Sequence, residues 1–346
     1  MPRPSYRELA LCGTEYARRV LRGEAPILEI PLGSFLAELT FALRPHFFAL
    51  SAIAALAGAA GVDPAARSSW RLAVAAAICG LGWGVGQLVN DLMDRDSDAV
   101  NAPDRAIVAG RLPAGPTLGA AALLGLLLAV ATVVIQPRAW ILVVASALLL
   151  VFYNAAKRWP LLGNLAHGAL VGVAAAIGAS SVFDPSRAFD SASFFSELAS
   201  QWRTLLMTAA IAVWYLQCNY EKDRPGDRAA GYTTLATVLS VRTSAILRWV
   251  GAVTIAVFGY RLRLLPDPVS QTTMLVGAML GLGSTLPPMV RDTDAASLQT
   301  YRVAVPAAIL MMLALAAPLL GRWGTTAVLV VALTLVRAAF RRSPNA

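Results

Sequence analysis

Apolar residues do not alternate with polar ones along this chain. They gather into runs of about 17 to 25 residues that recur from residue 35 almost to the end. Taken between polar breaks, the runs fall at 35–61, 70–93, 116–135, 138–155, 161–183, 202–220, 243–262, 270–287, 301–320 and 323–340. A helix of that length crosses the hydrocarbon layer of a bilayer, with every backbone polar group satisfied internally. The pattern predicts an all-α polytopic membrane protein with nine transmembrane helices and a tenth candidate at the C-terminal end.

Composition agrees. Of 346 residues, 57% are apolar or aromatic and 14% are charged, against roughly 25% charged in a soluble domain. A secreted disulfide scaffold, a coiled coil and a disordered chain are excluded. Cys12, Cys79 and Cys218 have no metal or redox spacing and read as inert small apolar residues. Residues 1–34 are polar and basic and lack the compact apolar stretch and cleavage site of a signal peptide, so they are expected to remain attached as a cytoplasmic amphipathic segment. No internal repeat or long loop interrupts the chain from residue 35 onward. The expected division is 1–34, a helical domain over 35–320, and an additional helix with a basic tail over 321–346.

The net charge is +9. With the N-terminus in the cytoplasm, the 29 basic residues divide as 19 inside, 8 outside, and two, Arg44 and Arg248, within spans. Orientation by the positive-inside rule and anionic membrane lipid account for this excess without a nucleic-acid partner.

The acids change the picture. Eight of the 20 fall in two short stretches: Asp91, Asp94, Asp96, Asp98 and Asp104 after the second span, then Glu221, Asp223 and Asp227 after the sixth. Both stretches belong to the same, cytoplasmic side. On a helix Asp91, Asp94 and Asp98 share one face, with Asn90 flanking Asp94, and Asn219, Asp223 and Asp227 form a second stripe at i, i+4 and i+8. Carboxylates stacked at the end of an apolar helix repel one another unless a cation neutralises them. Oxygen donors without His or Cys suit Mg²⁺, which takes one or two carboxylates together with phosphate oxygens. Two facing stripes would hold a diphosphate through bridging metals; the alternative is a pair of solvated acidic loops.

A diphosphate also needs fixed positive charge. Arg105 follows the first stripe, Lys157 and Arg158 end the fourth span, and Arg228 follows the second stripe. For Arg158 and Arg228, snorkelling or topology is an equal reading. Lys157 is one of two lysines in the chain and follows Tyr153 by four residues, on one helical face. Arg44, followed by Pro45 and His46 inside the first span, is expected to pair with an acid or line a polar cavity. His46 itself reads as a core or interface histidine.

The segment NDLMDRDSD, Asn90 to Asp98, fits the NDxxDxxxD signature of the UbiA-type intramembrane prenyltransferases, and it continues as AVNAPDRAIVAGRL, like that family's loop. NYEKDRPGDRAAGYTTLA, Asn219 to Ala236, resembles the family's DxxxD motif with its trailing GDRxxG and TL. YNAAKRWPLLGN, Tyr153 to Asn164, is similar to the fourth-to-fifth-helix segment, and LRPHFFAL, Leu43 to Leu50, to the first-helix segment. The resemblance covers about residues 35–320.

It implies a nine-helix UbiA-like bundle around a central cavity, with polar caps over its cytoplasmic mouth, in the bacterial inner membrane. The implied reaction is Mg²⁺-dependent: a polyprenyl diphosphate is ionised to an allylic cation, which joins a lipophilic acceptor. Asn90, Asp91, Asp94 and Asp98 match the first motif. In the second, Asp223 and Asp227 match, while Asn219, Arg224 and Pro225 depart from the common pattern, which leaves open whether that side holds its own metal. Asp91, Asp94, Asp98, Asp223 and Asp227 would be the catalytic metal ligands. Arg105, Lys157 and Arg228 would contact the diphosphate, Arg44 would orient the first-motif acids, and Asn90, Tyr153 and Asn219 complete the substrate site.

Elementary chemistry supports the same scheme. Breaking an allylic C–O bond spreads negative charge over the leaving diphosphate, and preorganised cations in a partly dry cavity stabilise it where it develops. The faces of Trp83, Tyr153, Trp214 and Tyr215 are candidates to hold the organic cation. A terpene cyclase on the same scaffold would share the ionisation step, whereas a divalent-cation transporter would need acids at the bilayer midplane in broken helices. Acceptor signals conflict: YNAAKRWPLLGN and NAPDRAIVAGR resemble the branch acting on glycerol phosphates or tetrapyrrole acids, and TTLA the naphthoate branch.

Overall fold

The computed structural model describes residues 30–157, 159–184 and 191–342, together with Glu15, Arg18, Arg19 and Arg22. Most of the N-terminal segment, Cys12 and Arg158 lie outside the described residues. Among those described there are helices and no strand. Each predicted apolar run is helical, because a chain in hydrocarbon has no other local way to pair its amides and carbonyls.

The first run is divided. Helix α1 (Leu32–Ala42) and helix α2 (Phe48–Val62) are separated by a single 3-10 turn at Pro45–Phe47. Pro45 has no N–H for the helical ladder, and Arg44 before it takes a left-handed conformation, φ 53°. Next come α3 (Trp70–Met93), the short α4 (Arg95–Asn101), α5 (Ala114–Ile135), α6 (Trp140–Ala156) and α7 (Leu162–Ser180). After α8 (Ser191–Ser200) lie α9 (Trp202–Ala229), the one-turn α10 (Leu235–Val238), α11 (Val241–Arg261), α12 (Pro268–Gly283), α13 (Leu286–Arg291) and α14 (Asp294–Arg342).

Among the described residues, eight helical stretches are long and apolar enough to cross a membrane. Helix α9 is too polar to count among them, since it carries the second acidic stripe, but its 28 residues rise roughly 42 Å, enough to span. The 49 residues of α14 are two spans, not one. Gly321 inside it has φ 64° and ψ 177°, and the rings of Tyr301 and Phe340 lie 6.0 Å apart. A straight helix would separate those rings by roughly 58 Å, so the chain reverses at Gly321. The two antiparallel arms correspond to the predicted runs 301–320 and 323–340.

Two glycines set the closest approach in the bundle. A Cβ on Gly58 of α2 would sit 1.8 Å from the carbonyl oxygen of Ala175, and one on Gly178 of α7 would sit 1.9 Å from that of Ala55. The helices therefore touch backbone to backbone, the small-residue packing that membrane helices use in place of a hydrophobic drive. Gly58→Leu is expected to cost more than about 3 kcal/mol, the upper end of ordinary overpacking. Gly119→Ala, where nothing lies within 4 Å, serves as the control. Size-exclusion profile and thermal midpoint in detergent check both; a monodisperse Gly58→Leu protein with an unchanged midpoint would contradict the crossing.

Buried polar links hold α9 in place. The Arg248 and Glu221 side chains, each 1% exposed, pair at 2.9 Å between α11 and α9. Ser244 Oγ donates to Glu221 Oε1 at 2.6 Å and accepts from Gln217 Nε2 at 2.6 Å, while Asn164 of α7 donates to Gln217 Oε1 at 3.1 Å. Beyond them Arg224 bonds Asp294 at 2.7 Å and the Ala236 carbonyl at 2.6 Å. These links fix the rotation of α9, and hence which of its side chains face the centre.

Candidate active site

The ends of α3, α6 and α9, with α4, meet at one face of the bundle around a cavity of about 360 Å³. The left-handed turn at Arg44 aims its guanidinium at α3, where it donates to Gln87 Oε1 at 2.7 Å and to Asp91 Oδ1 at 2.5 Å. Arg105 contacts the same Asp91 oxygen at 3.5 Å and forms an ion pair with Asp98. Asp91 is 4% exposed and does not line the cavity. It is enclosed by the two arginines, which do.

The first acidic stripe is not carried on one continuous helix. Helix α3 ends at Met93, and Asp94, at φ −99° and ψ 17°, is a hinge before α4 restarts at Arg95. The Lys157 ammonium, arriving from the end of α6, contacts both Asn90 and Asp94, and the Tyr232 hydroxyl donates to Asp94 Oδ1 at 3.4 Å. Asn90, Asp94 and Asp98 all line the cavity despite the break.

The second stripe keeps its regularity. Asn219, Asp223 and Asp227 line the cavity from α9, which remains helical through Pro225. Helix α4 is strapped against it: Ser97 Oγ donates to Asp227 Oδ1 at 2.9 Å, and Asn101 donates to the Asp223 carbonyl at 2.8 Å and accepts from the Gly226 amide at 2.9 Å. A Cβ on Gly226 would fall 2.4 Å from the Ser97 carbonyl oxygen, so the strap requires glycine there. Arg228 departs from expectation. Its side chain is 52% exposed, pairs with Asp294 at 3.5 Å and does not line the cavity, because it lies about 100° around the helix from Asp227.

Four cations and five carboxylates thus crowd one layer, the fourth cation being Lys222, 3.4 Å from Asp223 and over the Tyr301 ring at 4.7 Å. Burial pushes the Asp98 carboxyl up to about 7, against the opposing pull of Arg105 and with Asp91 and Asp94 adding to the rise. Its Oδ2 is buried and has no hydrogen-bond partner. Among the described residues no three Asp, Glu, His or Cys side chains close on a common point able to hold a metal ion. The acids are drawn instead to the protein's own cations and to Ser97. In kind, however, the donor set fits a hard divalent cation: its ligating groups are carboxylate and amide oxygens, and one buried carboxylate oxygen stands unsatisfied.

Beneath this layer the wall becomes aromatic, with Trp83, Tyr153, Tyr215 and His167, and then apolar, with Ile78, Leu128, Val171 and Ile177. Trp214 is not part of it; its Nε1 donates to the Arg248 carbonyl at 2.8 Å. The sequence profile of the UbiA prenyltransferase family matches residues 47–296. The chain belongs to the UbiA prenyltransferase family. It is an integral membrane protein and a prenyltransferase. A digeranylgeranylglyceryl phosphate synthase of Methanoculleus marisnigri is 30% identical over 268 residues, 74% of this chain and 90% of that one. The fold is shared with a UbiA homologue from Aeropyrum pernix K1, at TM-score 0.62 and 16% identity over 77% of this chain and 94% of that one. A UbiA homologue from Archaeoglobus fulgidus solved with DMAPP and Mg²⁺ matches at TM-score 0.57 and 13% identity, over 88% and 99% of the two chains.

Several residues of this UbiA cavity escape a reading by motif. Lys222 had a signal, as the second of two lysines and a neighbour of the Asn219–Asp223 face. Ser97, Asn101 and Gly226 had none, because a strap between two motifs exists only once α4 is folded back onto α9. Tyr301 reaches the cavity from the last hairpin, far from either motif.

Proposed function

We propose that this UbiA prenyltransferase transfers a polyprenyl group from an allylic polyprenyl diphosphate to a lipophilic acceptor, with Mg²⁺, at the cytoplasmic face of a bacterial inner membrane. The observation that carries the reading is the layered cavity: fixed charges of both signs at its mouth, aromatic rings beneath them, and an apolar tunnel below. A transporter path would instead place acids at the bilayer midplane; these acids lie at helix ends.

Asp94, Asp98, Asp223 and Asp227, with Asn90 and Asn219, would hold the metal, and Asp91 would act through Arg44 and Arg105. Bound there, Mg²⁺ would neutralise the charge that builds on the diphosphate oxygens. Lys157, Arg105 and Arg44 supply the remaining positive field, and the protein holds them in place before the bond breaks, so little reorganisation is needed. The ring of Tyr153, 5.0 Å from the Lys157 ammonium, sits between the charged layer and the tunnel, where an allylic cation would form. The apolar wall excludes water from that cation. The prenyltransferase unit ends near residue 320, and the arm beyond the Gly321 reversal is an addition to it. Among acceptors, the named relatives favour a glyceryl phosphate.

Purified protein in phosphatidylglycerol vesicles, given geranylgeranyl diphosphate and Mg²⁺ with geranylgeranylglyceryl phosphate or a hydroxybenzoate, is expected to yield a prenylated acceptor by mass spectrometry. A hydrocarbon formed without acceptor would establish the cyclase instead. Failure to consume the diphosphate would overturn both.

Lys157 gives a sharper check. Losing a charge-assisted contact costs about 1.5–3 kcal/mol, so Lys157→Ala should raise KM for the prenyl diphosphate and lower kcat, with kcat/KM down roughly tenfold to a hundredfold. Lys157→Arg keeps the charge but not the compact head and should fall between. Wild-type kinetics for a correctly inserted Lys157→Ala protein would remove Lys157 from the site.

A further inference from the structure

Prenyl transfer by this route leaves one proton unassigned. An acceptor that attacks the allylic carbon through O–H, N–H or C–H must lose its hydrogen, and the acids of the cavity mouth are committed to cations and metal. Deeper, on α7, His167 lines the cavity and is 8% exposed. The chain's other imidazole, His46, does not line it. The His167 ring stands edge-on to Trp83, with centroids 5.4 Å apart and planes at 84°, and 5.5 Å from the ring of Tyr153, the residue that touches the charged layer through Lys157. His167 therefore occupies the ring-walled level directly below the phosphate-binding charges.

Two nitrogens at this level lack partners. Neither Nε2 of His167 nor Nε1 of Trp83, on the facing helix α3, has a hydrogen-bond partner in the protein. A buried polar nitrogen left unpaired is destabilising, and a native fold that carries two of them side by side in a substrate cavity calls for a functional account. Their chemistry is complementary. Indole N–H only donates, whereas neutral imidazole carries a nitrogen lone pair that accepts.

We propose that His167 is the base that removes the acceptor's proton, with Trp83 donating a hydrogen bond to the acceptor's heteroatom. This rests on the prenyl-transfer reading and deepens it. The electron pair of the C1–O bond leaves with the diphosphate, and a lone pair or π pair of the acceptor forms the new bond to C1. The acceptor's proton passes to His167 Nε2 and then departs with the diphosphate, which restores the neutral ring. Because the base acts after ionisation, it governs product formation and not C–O cleavage.

That order sets the test. Full-length wild type and His167→Gln are compared with geranylgeranyl diphosphate labelled with ¹⁸O at the C1 bridge, in the presence of geranylgeranylglyceryl phosphate. Scrambling of the label reports ionisation and return; the sum of prenylated acceptor, prenol and hydrocarbon reports every route that sheds a proton. Loss of a general base typically costs 10²–10⁴ in rate. His167→Gln should keep scrambling within about threefold of wild type while total product falls about a hundredfold or more. Trp83→Phe should shift KM for the acceptor and leave scrambling alone. A His167→Gln protein with wild-type product formation would overturn the assignment, as would scrambling and product falling by one common factor, the mark of a merely structural role. If wild type neither scrambles nor forms product, the prenyl-transfer reading itself fails.

Discussion

Asp94→Ala is expected to abolish turnover, by about a thousandfold or more, while the protein still inserts and elutes as a single species. Loss of one preorganised electrostatic group at a developing oxyanion costs 10²–10³, and Asp94 does more than supply one group. It is the hinge between α3 and α4, it holds Lys157, and it receives Tyr232. Asp91→Ala should match it by a different route: with Asp91 gone, Arg44 and Arg105 lose the carboxylate that aims them into the cavity. The two can be told apart. Asp91→Asn still accepts from Arg44 and should retain part of the activity, whereas Asp94→Asn gives up a charge at the proposed metal site and should retain little. Full turnover in EDTA would refute the metal-dependent reading for both.

Combining sites gives the second large effect. If Asp223 and Asp227 hold the other side of one diphosphate, each single alanine variant should lose most of its activity, and adding Asp91→Ala should cost little more, since groups acting as a unit are not additive. The geometry supports a single unit: Ser97 and Asn101 tie the helix after the first motif to Asp227 and to the Asp223 backbone. Residual rates measured by radiolabelled prenyl transfer settle the matter, and losses that multiply would show two independent sites.

The spans were legible because hydrocarbon leaves the backbone one choice, and Arg44 was legible because an arginine in an apolar run has to be paid for by a partner. The second acidic stripe was legible both as a face and as a helix; the first was legible as a face but not as a helix. Periodicity assigns Asp94 to the side of α3 that carries Asp91; it is silent on where the helix stops, at the residue that Lys157 and Tyr232 reach from elsewhere in the chain. Arg228 sits outside the cavity for the opposite reason. A motif places it beside Asp227, but one residue along a helix turns the side chain by about 100°, and Asp294 was there to receive it. Trp214 looked like its neighbour Tyr215 on composition alone, yet a single backbone carbonyl on α11 claims its indole.

The reversal at Gly321 has a practical side. Asp294 opens α14 beside Arg224 and Arg228, so the first arm leaves from the face that holds the charged mouth, and the second arm, returning past Tyr301, ends on that face again. A reporter or affinity handle attached at the end of the second arm, at residue 342, is thereby placed at the face that holds the charged mouth. Cutting the chain at the reversal would leave the same handle at the far end of the first arm and strip Phe340 from the ring that backs Lys222.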